Sequence, residues 1–136
     1  MKNSAEKMES KEPKKLKCNN LFAYGTLQHG QSRNYILRGL KYEKATLFNY
    51  RKAKPPSLDF PFIIRDDSSK VQGEIYFDLG QSLINYIDII EGEGELYYRI
   101  LVNVKLDNGI DLDAYTYCPS DILIKNYLDN LDDING

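Results

Sequence analysis

The chemistry open to this chain is limited by what it lacks. It holds one histidine, His29, and two cysteines, Cys18 and Cys118, that lie far apart. No His-based metal cluster can be built from one histidine, and a histidine-dependent triad would rest on His29 alone. His29 lies in the polar run Gln28 to Gln31 and reads as a surface loop residue. Neither Cys-x-x-Cys spacing nor a phosphate loop ending in Gly-Lys-Ser/Thr occurs. No cofactor and no metal are therefore expected, and a catalyst in this chain must work with a carboxylate or a tyrosine.

Glu91 is the foremost carboxylate. It closes the run Ile87-Asp88-Ile89-Ile90-Glu91-Gly92. A carboxylate at a helix C-terminus meets the negative end of the helix dipole. Burial beside isoleucines would raise its pKa further, toward what a general acid–base needs near neutral pH. On these grounds alone a solvated Glu at a frayed helix end, with Glu93 and Glu95 as peers, is the commoner case. Tyrosine is abundant, with 11 copies, so any single one is more often packing than chemistry. Tyr24 and Tyr117 are the best candidates for pocket walls, since buried hydroxyls need partners. Alternation sets Tyr97 and Arg99 opposite Tyr98, Ile100 and Val102, as surface or pocket residues. Tyr115 and Tyr117 share a face with Asp111 and Asp113, and Glu74 falls on the polar face of its strand.

A second candidate is made of backbone. Leu21 to Tyr24 reads as a short buried strand that Gly25 breaks at once. The helix-like Ser32 to Leu37 follows. A strand, a tight turn and a helix start leave N–H groups at Gly25, Thr26 and Leu27 pointing one way, as an anion site requires. Gly25 would let a ligand approach the backbone. Taken alone, the tetrapeptide fits an ordinary strand-to-loop glycine better.

Around these residues the chain reads as about six short strands and two or three short helices, an α+β domain with a small curled sheet or barrel. Gly39 reads as a helix stop, Ala45 to Tyr50 as a strand, Lys54 to Ser57 as a loop and Phe60 to Ile64 as an extended segment. Asp66 to Ser69 reads as a turn and Val71 to Asp78 as a strand with a bulge or close approach at Gly73. Leu83, Ile87 and Ile90 share one face of a helix over Gln81 to Glu91, which Gly92 and Gly94 end. Two strands follow, Tyr98 to Leu106 and Asp111 to Cys118, joined by the Asp107-Asn108-Gly109 turn. A last amphipathic helix is predicted from Ile122 to Leu131.

The whole chain has 136 residues and a formal net charge of −2. That suits one domain without a nucleic-acid footprint. Apolar runs are too short to span a membrane and no export signal is visible. A cytoplasmic protein with reduced thiols is expected, though a Cys18–Cys118 disulfide stays open. Residues 1–18 read as a disordered polar leader and 19–136 as the folded domain. The oligomeric state is not readable.

Four segments together resemble the γ-glutamyl cyclotransferase-like superfamily. They are Tyr24-Gly25-Thr26-Leu27, Val71 to Tyr76, Ile87 to Gly92 with Tyr97 and Arg99, and Tyr115-Thr116-Tyr117, in the family's order and spacing. The resemblance runs from about Leu21 to Cys118 and implies a small mixed, mostly antiparallel β-barrel flanked by short helices. It implies that the turn from Tyr24 to Leu27 holds a γ-glutamyl or 5-oxoproline group through backbone N–H groups, and that Glu91 is the catalytic base and acid. The four-residue turn followed by Gly30-Gln31 is closest to the γ-glutamylamine cyclotransferase branch. Glutathione-directed members often carry a longer Tyr-Gly-Ser-Asn-Leu turn. The linker after Gly92 lacks a proline often found there, and Asn49 stands where many members have Gly.

The chemistry so implied suits the residues present. In a γ-glutamyl amide the α-amino nitrogen can attack its own γ-carbonyl, so the protein has mainly to fold the substrate and move one proton. Backbone N–H groups at the turn could hold the α-carboxylate or the developing oxyanion. The expected partner is thus a small-molecule γ-glutamyl substrate. The alternatives are a non-catalytic binding module on the same barrel and a different acyl or lyase reaction of the same Glu.

Overall fold

Apolar–polar alternation sets the strands in the computed structural model, which describes residues 17–54, 61–94 and 96–125. The strands are β1 (Leu21–Ala23), β2 (Tyr42–Ala53), β3 (Phe62–Tyr76), β4 (Tyr97–Leu106) and β5 (Asp111–Pro119). They close a barrel in the order β1-β3-β2-β4-β5. The β1–β5 pairing is parallel and the others are antiparallel. One α-helix, α1 (Gln81–Glu91), follows β3. The fold is the small mixed barrel with short helices that the sequence led us to expect.

Two elements differ from expectation. The extended segment ending at Ile64 and the strand from Val71 are not separated by an Asp66–Ser69 turn. Phe60 lies outside the described residues; the parts at 62–64 and 71–76 belong to one long β3, within which Lys70 faces Phe48 and Arg65 faces Tyr50. The residues between them bulge. Asp66 accepts from the Ser68 N–H at 3.1 Å and from the Ser68 and Ser69 hydroxyls at 2.9 Å, so turn chemistry is absorbed inside a strand. Asn49, at the same register shift, has φ 71, which Asn tolerates and Gly would adopt freely. The segment after the Tyr24 turn is a four-residue 3-10 helix, Asn34–Leu37, rather than the start of an α-helix.

The core has two parts. Phe22, Leu47, Ile63, Val71, Ile75 and Val104 are among the residues that fill the barrel. Leu21, Leu37, Phe62, Tyr76, Leu79, Ile84, Ile87, Tyr97, Tyr115 and Tyr117 cluster outside its wall, where α1 and the 3-10 segment cover it. The second part corrects the reading of Tyr115 and Tyr117. They do share a face with Asp111 and Asp113, but their end of β5 is buried and the Asp end is exposed. A barrel strand has two faces, and a helix covers the outer one over only part of its length.

Gly73 is a close approach, as its place in a strand implied. A Cβ there would lie 2.5 Å from the Ala23 carbonyl oxygen and 2.6 Å from the Phe22 ring. Cys18 and Cys118 are free thiols. Among the described residues no helix is long and apolar enough to cross a membrane. Lys17 already docks, its N–H donating to the Tyr115 hydroxyl at 2.8 Å. Residues 1–16 and 126–136 lie outside the described residues, and with them the predicted last helix beyond Lys125; residues 121–125 are helical.

Candidate active site

The turn after β1 is held by its carbonyls. Lys52 Nζ donates to the Tyr24 carbonyl at 3.2 Å and the Gln28 N–H to Gly25 at 3.0 Å. The Arg33 N–H donates to Thr26 at 2.8 Å, and Asn34 Nδ2 to Leu27 at 2.8 Å. Each carbonyl from Tyr24 to Leu27 is thus taken. By contrast, the N–H groups of Gly25, Thr26 and Leu27 donate no hydrogen bond among the described residues. With every oxygen fixed, the peptide planes cannot turn those donors away. Shielded backbone donors are nearly always paired, so a row of donors beside a cavity with no acceptor among the described residues suits an acceptor from outside.

The reason for glycine at Gly25 differs from the expected one. A Cβ there would meet the Pro61 ring at 3.2 and 3.3 Å, so the side-chain direction faces Pro61 rather than open space.

Glu91 lines the same cavity. It ends α1, whose C-cap Gly92 adopts φ 67, and the Glu93 N–H closes the cap on the Asp88 carbonyl at 2.9 Å. Burial pushes the Glu91 carboxyl above its ordinary range, and the Arg33 charge opposes this. The cavity has a volume of ≈ 150 Å³ and is lined by Phe22, Ala23, Tyr24, Gly25, Thr26, Leu27, Arg33, Pro61, Ile90, Glu91, Leu96, Tyr97, Thr116 and Tyr117. Glu91, the Tyr24–Leu27 turn, Tyr97 and Tyr117 therefore line one space.

Tyrosines form its wall. The Tyr24 hydroxyl donates to the Tyr117 carbonyl at 2.6 Å, and the Tyr117 hydroxyl donates to Asp88 Oδ1 at 2.6 Å. Arg99 Nη1 donates to Asp88 Oδ2 at 2.8 Å while its guanidinium stacks 4.7 Å from the centre of the Tyr115 ring. Asp88 is still raised above the usual carboxylate range, because burial outweighs Tyr117 and Arg99. Burial first, and then the bond to Asp88, push Tyr117 well above the ordinary tyrosine range, so it stays a neutral donor. Burial likewise raises Tyr24, with Tyr97, Glu91 and Cys118 adding to it.

Other polar candidates lie elsewhere. Glu74 does not line this cavity; it accepts from the His29 N–H at 2.7 Å and from the Tyr76 hydroxyl at 3.0 Å, bracing the loop from behind. His29 is exposed and stacks on Tyr42 with ring centres 5.3 Å apart. Sequence reasoning passed over Asp88, Arg33 and Pro61. Asp88 had a signal, since it lies three residues before Glu91 on the same helix face. Pro61 had none, for it reaches the turn only through the β2–β3 hairpin.

Comparisons with known proteins bear on the family and the fold. The family model described as gamma-glutamyl cyclotransferase, AIG2-like, matches residues 21–133. A zebrafish (Danio rerio) protein named gamma-glutamylaminecyclotransferase A is 31% identical over 114 residues, covering 76% of this chain and 70% of its own. An Arabidopsis thaliana protein named AIG2 C is 31% identical over 112 residues, covering 81% and 65%. Among solved structures, an AIG2-like protein from mouse (Mus musculus) superposes with a TM-score of 0.70 at 18% identity, over 82% of each chain.

Proposed function

The chain belongs to the gamma-glutamyl cyclotransferase, AIG2-like family, and from that premise we propose that it converts a γ-glutamyl amide into 5-oxoproline and a free amine. The leaving group is an amine or an amino acid, and the zebrafish relative's name favours the amine. One observation carries the reading: a part-buried carboxyl with a raised pKa, Glu91, shares a small cavity with a turn whose carbonyls are all engaged and whose N–H groups find no acceptor among the described residues.

The steps follow from that arrangement. Glu91 takes a proton from the substrate α-ammonium. The freed amine attacks the γ-carbonyl carbon and closes a five-membered ring. Negative charge grows on the carbonyl oxygen, where N–H donors of the turn stabilise it. Glu91 then gives its proton to the departing nitrogen, the C–N bond to the leaving amine breaks, and the extra proton left on the ring nitrogen passes by way of Glu91 to the released amine, which departs as an ammonium. Water takes no part. Holding the ends of one molecule in a near-attack shape supplies much of the acceleration, which suits a site with few polar groups.

The test is mass spectrometry of 5-oxoproline released from γ-glutamyl amines, γ-glutamyl amino acids and glutathione. Release by the wild type and its loss in Glu91→Gln are expected. No release from any of them would favour a binding module on the same barrel.

A further inference from the structure

Arg33 is the cation among the residues that line the cavity. Its backbone N–H is tied to the turn through the Thr26 carbonyl at 2.8 Å, so the guanidinium stem starts from the substrate-facing loop itself. The residue is part-buried, and no carboxylate among the described residues forms an ion pair with it. Arg99, the other guanidinium near the tyrosine wall, is spent on Asp88 at 2.8 Å. Glu91 feels the Arg33 charge without being bound by it.

Resting on the cyclotransferase reading, we propose that Arg33 is the specificity residue of the cavity, binding the α-carboxylate of the γ-glutamyl head and leaving the turn N–H groups for the γ-carbonyl oxygen. The division follows from charge. A carboxylate carried into a part-buried cavity is a full and permanent negative charge, which a guanidinium matches in both charge and fork geometry. An oxyanion is transient and partial, and fixed backbone dipoles serve it. The carboxylate would also cancel the Arg33 charge beside Glu91, so binding the correct head removes the influence that holds the Glu91 pKa down. A substrate without that carboxylate gains neither contact.

Binding, not turnover, tests this most directly. 5-Oxoproline carries the head carboxylate and no leaving group; 2-pyrrolidinone is the same ring without the carboxylate. Both are titrated by NMR into the full-length wild type, Arg33→Ala and Arg33→Lys. We expect 5-oxoproline to bind the wild type and to lose about 10–100-fold in Arg33→Ala, the size of a charge-assisted pair, with part of it recovered in Arg33→Lys. 2-Pyrrolidinone should bind the wild type and Arg33→Ala alike. Equal affinity of Arg33→Ala and wild type for 5-oxoproline overturns the proposal, as does absence of 5-oxoproline binding to the wild type. An equal drop for 2-pyrrolidinone overturns it too, as that marks general damage to the cavity. A kinetic arm separates the other source of a carboxylate. The KM penalty of Arg33→Ala should be the same for a γ-glutamyl alkylamine and a γ-glutamyl amino acid; a penalty confined to the amino acid would move Arg33 to the leaving group. Binding that follows this pattern without any 5-oxoproline release would leave Arg33 assigned and sink the cyclotransferase reading alone.

Discussion

Glu91 and the groups around it decide how the site responds to pH. Its carboxyl is raised by burial, with Arg33 opposing; Tyr24 from the β1 turn and Tyr117 from β5 face it as neutral phenols. A base must be ionised to act, so kcat/KM should rise with pH along a limb set by Glu91, above the ordinary carboxylate pKa. In Arg33→Ala that limb should move to higher pH, because the opposing Arg33 charge is gone. Glu91→Gln should lower the rate about 10²–10⁴-fold, the usual loss for a general base, and Glu93→Gln, beyond the Gly92 cap, should not. Stability carries the opposite sign. A carboxyl whose folded pKa is raised contributes stability below its unfolded pKa and loses it as pH rises through the folded value. Glu91→Gln should therefore melt higher than the wild type at pH 7 and converge with it in acid, which a pair of thermal melts will show. Asp88 offers a separate readout. Asp88→Asn keeps the shape but weakens the bonds from Tyr117 and Arg99, each at least partly shielded from water. A loss of about tenfold in kcat/KM is expected as the tyrosine wall loosens, against little change for the exposed Asp113→Asn.

At the scale of elements, the sequence was most legible where one periodicity ran unbroken. The bounds of α1 follow from Leu83, Ile87, Ile90 and the Gly92 cap, and the turn at Asp107 to Gly109 from its residues. It was least legible where local chemistry and long-range pairing disagree. Asp66-Asp67-Ser68-Ser69 has every mark of a turn, yet β2 pairs on both sides of it and carries the strand through. The cavity was half legible. Its turn and its Glu could be named because motifs carry them, whereas Pro61 enters it only through the β2–β3 pairing. Gly73 tests how tightly the elements fit. Gly73→Ala puts a methyl 2.5 Å from the Ala23 carbonyl oxygen, at the step from β1 into the Tyr24–Leu27 turn. Overpacking of that kind costs about 1–3 kcal/mol. Chemical denaturation should show that loss with m unchanged, and KM should rise because β1 shifts beneath the turn.

For the molecule as a whole, the site depends on how the barrel is sealed. β1 is short and sits between β3 and β5; its parallel pairing with β5 has a single register pair, Leu21 with Tyr115. Side chains complete the seam. The buried Thr116 hydroxyl donates to the Phe22 carbonyl at 2.9 Å, and the Tyr24 hydroxyl donates to the Tyr117 carbonyl at 2.6 Å. All four residues line the cavity, so the seam of the barrel is also a wall of the site. Thr116→Val keeps the volume but strands the Phe22 carbonyl, and an unsatisfied buried acceptor costs about 1–3 kcal/mol. Tyr24→Phe does the same to Tyr117. Because both bonds clamp the same two strands, the double variant should fall short of or exceed the sum of the single losses, rather than match it. Urea melts of the four proteins give the coupling directly. Amide exchange should accelerate first in β1 and the end of β5, while the long β2–β3 hairpin keeps its protection. Uniform acceleration across all strands would mean that the seam is no weaker than the rest of the barrel, and that the cavity wall opens only when the whole protein unfolds.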